Sequence, residues 1–152
     1  MAALLVAGLV GLPASAQQVF DEGADFGSRI TFRAGHPAEG QSLDDAFEDR
    51  ETSSRAIVAS ADVLGRHADM TVDVTGFADA DECGVVDRVA VAWRRATLVR
   101  DRRVELGVDP SRPAVSSHGA ARPVFDGPRA HPRNRRVEIG VVRAGRSEER
   151  AR

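Results

Sequence analysis

The chain has 152 residues, about the length of one domain, and with 42% hydrophobic and 29% charged residues its composition is that of a globular protein. The formal net charge of −2 argues against a dedicated nucleic-acid-binding protein, and the single cysteine excludes an internal disulfide framework. Residues 17–87 carry five Arg and sixteen acidic residues, whereas residues 88–152 carry sixteen Arg and seven acidic residues. We expect these halves to fold together and neutralise each other; the alternative is a basic tail that binds nucleic acid or a membrane.

The N-terminal residues have the pattern of a secretory signal peptide. An apolar run over residues 2–12 is followed by Pro13 and then by the sequence Ala-Ser-Ala, which ends at Ala16 and fits an A-x-A cleavage site. The run is much shorter than the ~20 residues needed to span a bilayer. We therefore predict an exported protein that is cleaved after Ala16, with a linker over residues 17–28; the alternative is a buried N-terminal helix.

A strand and a helix are the first predicted elements of the mature chain. The segment RITFRA, residues 29–34, alternates polar and apolar residues, as expected of a half-buried strand. Its inward residues would be Ile30, Phe32 and Ala34. A polar loop follows, and then a helix is predicted over residues 52–67, with Thr52 or Ser53 as its N-cap. Spacings of i, i+4 and i+7 give this helix an apolar face: Ile57, Ala61 and Leu64.

The next strand and helix follow the same two periods. In MTVDVTG, residues 70–76, the inward residues would be Met70, Val72 and Val74. A second helix is predicted over residues 87–106, with Gly107 placed to end it. The buried face of this helix would contain Ala92, Ala96 and Val99.

Two strands complete the predicted fold. RPAVSSHG is a short strand that follows a proline turn, and RRVEIGVV would turn Val137, Ile139 and Val141 inward. The order β-α-β-α-β-β predicts an α/β fold, an α+β sandwich in which two helices cover one face of a mixed sheet of about four strands. Residues 29–142 would form this domain, and residues 143–152 a charged tail.

The loop GFADADECG, residues 76–84, is tested first as a metal site. Asp79, Asp81 and Gly84 fit positions 1, 3 and 6 of a calcium-binding EF-hand loop, but position 5 is Cys83 and position 12 is Ala90. The loop therefore lacks the oxygen ligands at positions 5 and 12 that calcium binding requires. Cys83 also has no neighbouring Cys or His with which to bind zinc. We predict no metal and no cofactor, and we interpret Cys83 as a loop thiol without a role.

Motifs that support catalysis are missing from the sequence. It contains no G-x-S-x-G, no phosphate-binding loop and no G-x-G-x-x-G, and its four histidines are scattered. We therefore predict that the chain is not an enzyme.

Four motifs occur in a fixed order along the chain: GFAD (76–79), VAWRRA (91–96), GVDPSRPAVSSHGAARPV (107–124) and NRRVEI (134–139). Together they resemble the peptidoglycan-binding domain of the outer membrane protein A (OmpA-like) family, shared with peptidoglycan-associated lipoproteins and flagellar stator proteins. The resemblance covers residues 29–142. Four departures stand out. Arg88 replaces the usual Asn, Ala121 replaces a Gly, and the loop between Asp79 and Arg95 is one residue longer. In addition, Ala34 and Gly35 replace the aromatic or acidic residues common after the first strand.

The resemblance implies a site for the diamino acid of the peptidoglycan stem peptide, typically diaminopimelate. Asp79 would bind its ammonium group and Arg95 its carboxylate, because a guanidinium can bind a carboxylate through two parallel hydrogen bonds. The alternative is that Asp79 and Arg95 only pair with each other. Supporting residues implied for the site are Phe77, Ala78, Arg88 and Arg136.

The remaining charges of this region are expected to be solvated. Carboxylates interpreted as the rim of the site are Asp81, Glu82 and Asp87. Arginines expected on a solvated helix face are Arg94, Arg102 and Arg103.

The resemblance thus implies non-covalent binding of peptidoglycan in the periplasm and anchoring within the cell envelope near the outer membrane. Expected partners are peptidoglycan and other envelope proteins, with no nucleic acid and no transmembrane segment in the mature chain. One alternative is a degenerate copy of the same fold that serves as a protein-interaction module, and another is a small periplasmic enzyme that acts on the wall.

The signal peptide is tested by expressing the gene in a Gram-negative host and sequencing the N-terminus of the purified protein. We expect the mature chain to begin at Gln17 because the A-x-A step ends at Ala16. A cytoplasmic chain that still begins at Met1 would contradict the predicted export.

Overall fold

The computed structural model describes residues 30–82, 87–127 and 130–143, with no side-chain description for residues 141–143. The predicted signal peptide, the linker, Cys83 and the tail after residue 143 lie outside the described residues. In chain order the elements are α1 (Leu43–Ala46), α2 (Arg50–Arg66), β1 (Met70–Gly76), α3 (Arg88–Glu105), β2 (Pro113–Ser117), a 3-10 turn (Pro132–Asn134) and β3 (Val137–Arg143). No described helix is long and apolar enough to cross a membrane.

The described sheet has three strands, with β1 in the centre. β1 pairs in parallel with β2 and antiparallel with β3. Parallel neighbours need a crossover connection, which α3 provides between β1 and β2. In this register Gly76, at the end of β1, lies opposite both Ser117 and Val137. The loops that follow β1 and β2 and the segment that precedes β3 therefore meet at one edge of the sheet.

One hydrophobic core joins the sheet to both long helices. The predicted alternation of β1 is confirmed, since Met70, Val72 and Val74 are buried and Asp73 is exposed. Ile139 packs against the same core, and the side chain of Val141 is not described. The helices contribute Ala56, Ile57, Ala61 and Leu64 from α2 and Ala96 and Val99 from α3. The α/β class, with helices packed on a mixed sheet, is thus confirmed, with three strands instead of about four.

The missing strand is the first one predicted, RITFRA. Ile30 and Phe32 are fully buried as expected, but this segment makes only isolated bridges, one from Thr31 to Arg136 and one from Phe32 to Phe47. Ala34 is exposed, so its predicted inward position is wrong. The chain turns away directly after it, at Gly35, whose positive φ of 73° favours glycine. The loop after this turn contains the short helix α1.

The helix ends follow capping chemistry. α2 begins two residues earlier than predicted because the carboxylate of Asp49, and not Thr52 or Ser53, is the N-cap and accepts the N–H of Thr52 at 3.0 Å. Asp87 caps α3 in the same way by accepting the N–H of Val89. The predicted stop at Gly107 is confirmed, with a φ of 98°.

Arg103 does not lie on a solvated face as predicted. It is 1% exposed, because it follows Val99 by one helical turn and falls on the buried stripe of α3. Burial, together with the positive charge of Arg112, lowers the pKa of Arg103 to about 10. Its Nε and Nη1 atoms have no hydrogen-bond partner among the described residues.

Gly76 brings β1 and α3 into backbone contact. A Cβ atom at this position would lie 1.8 Å from the carbonyl oxygen of Ala92. Only glycine fits here without displacing the helix, and this close approach sets where the following turn of α3, which carries Arg95, meets the end of β1.

We therefore expect Gly76→Ala to lower the free energy of unfolding by at least the ~1–3 kcal/mol typical of overpacking. The matched control is Gly65→Ala in α2, where a Cβ would meet nothing within 4 Å and the substitution should stabilise by up to ~1 kcal/mol. Urea unfolding of both variants checks this. Equal stability of Gly76→Ala and the wild type would contradict the close contact.

Candidate ligand-binding site

The loop after β1 is held in place by backbone hydrogen bonds to the other two segments at this edge of the sheet. The N–H of Phe77 donates to the carbonyl of Arg136 at 2.9 Å, and the N–H of Ala78 donates to the carbonyl of Gly119 at 2.8 Å. The guanidinium carbon of Arg136 lies 3.9 Å from the centre of the Phe77 ring, a cation–π contact. These contacts fix the direction in which the chain enters Asp79.

Asp79 is 3% exposed and its carboxylate is held by N–H groups from two parts of the chain. Its Oδ1 accepts the N–H of Asp81 at 2.9 Å. Its Oδ2 accepts the N–H of His131 at 2.9 Å and the side-chain amide of Asn134 at 3.0 Å. The carboxylate is therefore ionised and fixed in orientation.

Asn134, the first residue of the NRRVEI motif, orients Asp79. Its amide nitrogen donates to Asp79 and to the carbonyl of Phe125, while its amide oxygen accepts the N–H groups of Val124 and Phe125. With both ends of the amide engaged, the side chain has one orientation. The segment that contains Val124 and Phe125 is thereby joined to Asp79, just after β1, through one side chain.

Arg95, in the second turn of α3, is fully buried and all five of its N–H donors are used. Three hydrogen bonds go to backbone carbonyls: Nε to His36 at 2.8 Å, Nη1 to Phe77 at 2.9 Å and Nη2 to Arg33 at 3.3 Å. The other two go to the carboxylate of Glu82, at 2.9 Å from Nη1 and 2.5 Å from Nη2. Arg95 therefore binds a carboxylate in the bidentate manner expected, and that carboxylate belongs to the chain itself.

Glu82 is not a rim charge as predicted; its side chain is 2% exposed. Besides the two bonds from Arg95, its carboxylate accepts the N–H of Gly35 and the N–H of Asp79, each at 2.8 Å. Four donors fill the four acceptor positions of a carboxylate. A buried glutamate is retained here because every lone pair has a partner.

The structure brings Asp79 and Arg95 together through Glu82. Glu82 Oε2 accepts both from the backbone N–H of Asp79 and from Nη1 of Arg95, so these two donors are neighbours. The alternative ion pair between Asp79 and Arg95 is not the one observed, since the partner of Arg95 is Glu82. Both Asp79 and Arg95 are buried.

The other implied site residues differ in position. Phe77, Ala78 and Arg136 are buried, whereas Arg88 is half-exposed at the start of α3, beside Gly119. Of the predicted rim residues, Asp81 and Asp87 are exposed. No three His, Cys, Asp or Glu side chains in the described part of the chain are grouped so as to hold a metal ion.

Sequence reasoning missed the residues that complete the site: Gly35, Glu82, His131 and Asn134. Asn134 had a signal, as the first letter of a recognised motif. Glu82 had none, because three carboxylates lie within four residues of an irregular loop and no periodicity separates the inward from the outward ones.

The electrostatics of the two buried carboxylates follow from these contacts. Burial alone would raise the pKa of Glu82, but the hydrogen bonds and positive charge of Arg95 lower it below its usual range. Burial likewise opposes ionisation of Asp79, and the N–H groups of His131 and Asp81 outweigh it and lower the pKa of Asp79. Desolvation also lowers the pKa of Arg95, with Glu82 opposing that shift.

These lowered pKa values predict acid sensitivity. A carboxylate with a depressed pKa in the folded state stabilises the fold above its unfolded pKa of ~4, and this stability is lost as the pH falls through the folded value. The free energy of unfolding should therefore decrease below about pH 4.5. Glu82→Gln and Asp79→Asn should each reduce this dependence, as measured by urea unfolding between neutral and acidic pH. Asp73→Asn, at an exposed position of β1, is the control, and a wild-type slope in all three variants would contradict the assignment.

Comparison with known proteins places the fold. No family model matches the chain, and no curated protein matches it. Among solved structures, it is similar to the C-terminal domain of Helicobacter pylori MotB, with 22% identity, a TM-score of 0.60, and coverage of 76% of this chain and 84% of that one.

Two further solved structures are similar to this chain in fold. The peptidoglycan-associated lipoprotein of Burkholderia pseudomallei has 20% identity and a TM-score of 0.57, over 75% of this chain and 90% of that one. The OmpA-like domain of FopA1 from Francisella tularensis has 22% identity and a TM-score of 0.52, over 61% and 65% of the two chains. The protein described here has the fold of the OmpA-like domain.

Proposed function

We propose that this protein binds peptidoglycan non-covalently, through the diamino acid of the stem peptide, and that it performs no catalysis. One observation carries the proposal: Arg95 already binds a carboxylate through both Nη atoms, and the backbone N–H of Asp79 donates to that same carboxylate. The site thus contains a receptor for a carboxylate, and Asp79, whose backbone N–H lines that receptor, carries the carboxylate that would accept an ammonium group.

The amino-acid end of a diamino acid such as diaminopimelate carries these two groups on one carbon atom. Its carboxylate would take the two parallel hydrogen bonds of the Arg95 guanidinium, which match its planar geometry. Its ammonium group would bind the carboxylate of Asp79, which Asn134 and His131 hold ionised and oriented. A ligand with only one of the two charges would make only one of these two contacts and should bind more weakly.

The fold neighbours support an envelope location. One of them is a peptidoglycan-associated lipoprotein, and another is described as the periplasmic domain of MotB. We propose that the chain is likewise periplasmic, that it contributes to envelope anchoring, and that its N-terminal residues direct export.

A second candidate is a protein-interaction module on the same fold. It is favoured by one feature, the complete use of the Arg95 donors by groups of the chain itself. In that case the Glu82–Arg95 pair would be purely structural, and an envelope protein would bind elsewhere on the surface.

The two candidates are separated by co-sedimentation with purified sacculi that contain diaminopimelate. Because Asp79 and Arg95 are buried, alanine substitutions would disturb the fold, so the conservative variants Asp79→Asn and Arg95→Lys are used. We expect each to weaken sacculus binding about tenfold or more, since a lost charge-assisted hydrogen bond costs ~1.5–3 kcal/mol.

Matched controls are Asp73→Asn on β1 and Arg102→Lys on α3, where the arginine side chain is 36% exposed and pairs with Asp44 and Glu105. Both controls should bind sacculi like the wild type, and circular dichroism should show that all four variants are folded. Wild-type affinity in both site variants would exclude the proposed site and favour the interaction module. Release of soluble muropeptides would instead indicate an enzyme.

A further inference from the structure

We propose that Glu82 is an internal occupant of the carboxylate pocket, which a ligand carboxylate must displace before it can bind Arg95. This inference rests on the proposed function. It assigns to Glu82 control over which ligands enter the site and how tightly they bind, a role that neither the motif pattern nor the fold assigns to this position.

The pocket has the composition of a carboxylate receptor. Its four donors are the two Nη groups of Arg95 and the backbone N–H groups of Gly35 and Asp79, and all four point at the carboxylate of Glu82. The donors come from three separate segments: the loop before α1, the loop after β1, and α3. A free carboxylate in the same position would form the same four hydrogen bonds.

Competition follows from this equivalence. A ligand carboxylate gains little hydrogen-bond energy over Glu82, which is also tethered to the loop and therefore present at a high effective concentration. The observed affinity is the intrinsic affinity reduced by the fraction of molecules in which Glu82 has left the pocket. While Glu82 occupies the pocket, Arg95 is fully buried and has no spare donor. In that form the protein binds no ligand carboxylate at Arg95.

A merely structural role for Glu82 makes the opposite prediction. If Glu82 only supported the fold, its removal would loosen the loop and weaken ligand binding. If it occupies the pocket, its removal opens a preformed site and binding becomes tighter. The direction of the change therefore decides between the two roles.

The first experiment compares sacculus binding by the wild type, Glu82→Ala and Glu82→Gln. Glu82→Ala removes the competing carboxylate, and Glu82→Gln leaves a neutral group of the same shape. We expect Glu82→Ala to bind at least tenfold more tightly than the wild type and Glu82→Gln to fall between them. The matched control is Glu48→Ala, which removes the exposed carboxylate partner of Arg135, another buried arginine, and should leave binding unchanged.

The second experiment needs no peptidoglycan. Thermal unfolding of each variant is measured in sodium acetate and in sodium chloride of equal ionic strength at neutral pH. Acetate should fill the vacated pocket and raise the Tm of Glu82→Ala by several degrees, with no such shift for the wild type, Glu82→Gln or Glu48→Ala.

The combined outcomes distinguish this inference from the proposed function. If the wild type binds sacculi and the folded Glu82 variants bind equally or more weakly, the inference is overturned and the function stands. If acetate stabilises Glu82→Ala but no variant binds sacculi, the pocket assignment stands and peptidoglycan binding fails. Absence of any acetate effect on folded Glu82→Ala also overturns the inference. Should Glu82→Ala not fold even in acetate, the affinity of Glu82→Gln relative to the wild type decides.

Discussion

The buried ion pair between Arg95 and Glu82 is the interaction on which the site depends. Removing two charges from water costs several kcal/mol per ion, and the attraction between them offsets that cost only when the geometry is good and every remaining polar atom has a partner. Here the five donors of Arg95 and the four acceptor positions of Glu82 are all used. Loss of one member leaves the other charge buried and alone, which typically costs ~3–5 kcal/mol.

Asp79 makes the second set of contacts that joins distant parts of the chain, the loop after β1 and the segment before β3. Its carboxylate receives N–H groups from residues 52 and 55 positions further along, which is why the NRRVEI motif and the GFAD motif belong to one site. Asn134 also holds the backbone of the loop that contains Val124 and Phe125. These contacts keep the carboxylate of Asp79 ionised and in one orientation, as the proposed binding of an ammonium group would require.

Stability and binding make opposite demands on this site. The hydrogen bonds from Arg95 to Glu82 allow the arginine to be buried, and a ligand carboxylate would use the same donors. The state in which Glu82 occupies Arg95 is therefore stable, but its donors are not available to a ligand. In the proposed function, ligand binding would exchange one carboxylate for another and would not fill an empty cavity. Gly76 also constrains the site, because the backbone contact between β1 and α3 keeps Arg95 close to the loop that follows β1.

The sequence by itself determined the elements whose information is local. Period-two alternation predicted β1, period-3.6 spacing predicted α3, and Gly107 marked the end of that helix. The resemblance carried by four ordered motifs predicted Asp79 and Arg95 as site residues. Only the tertiary structure decided which carboxylate meets Arg95, that Arg103 is buried, and that the segment around Phe32 forms bridges instead of a strand. The physical reason is that ion pairing and burial depend on distances between segments remote in sequence, whereas helix and strand periods are properties of neighbouring residues.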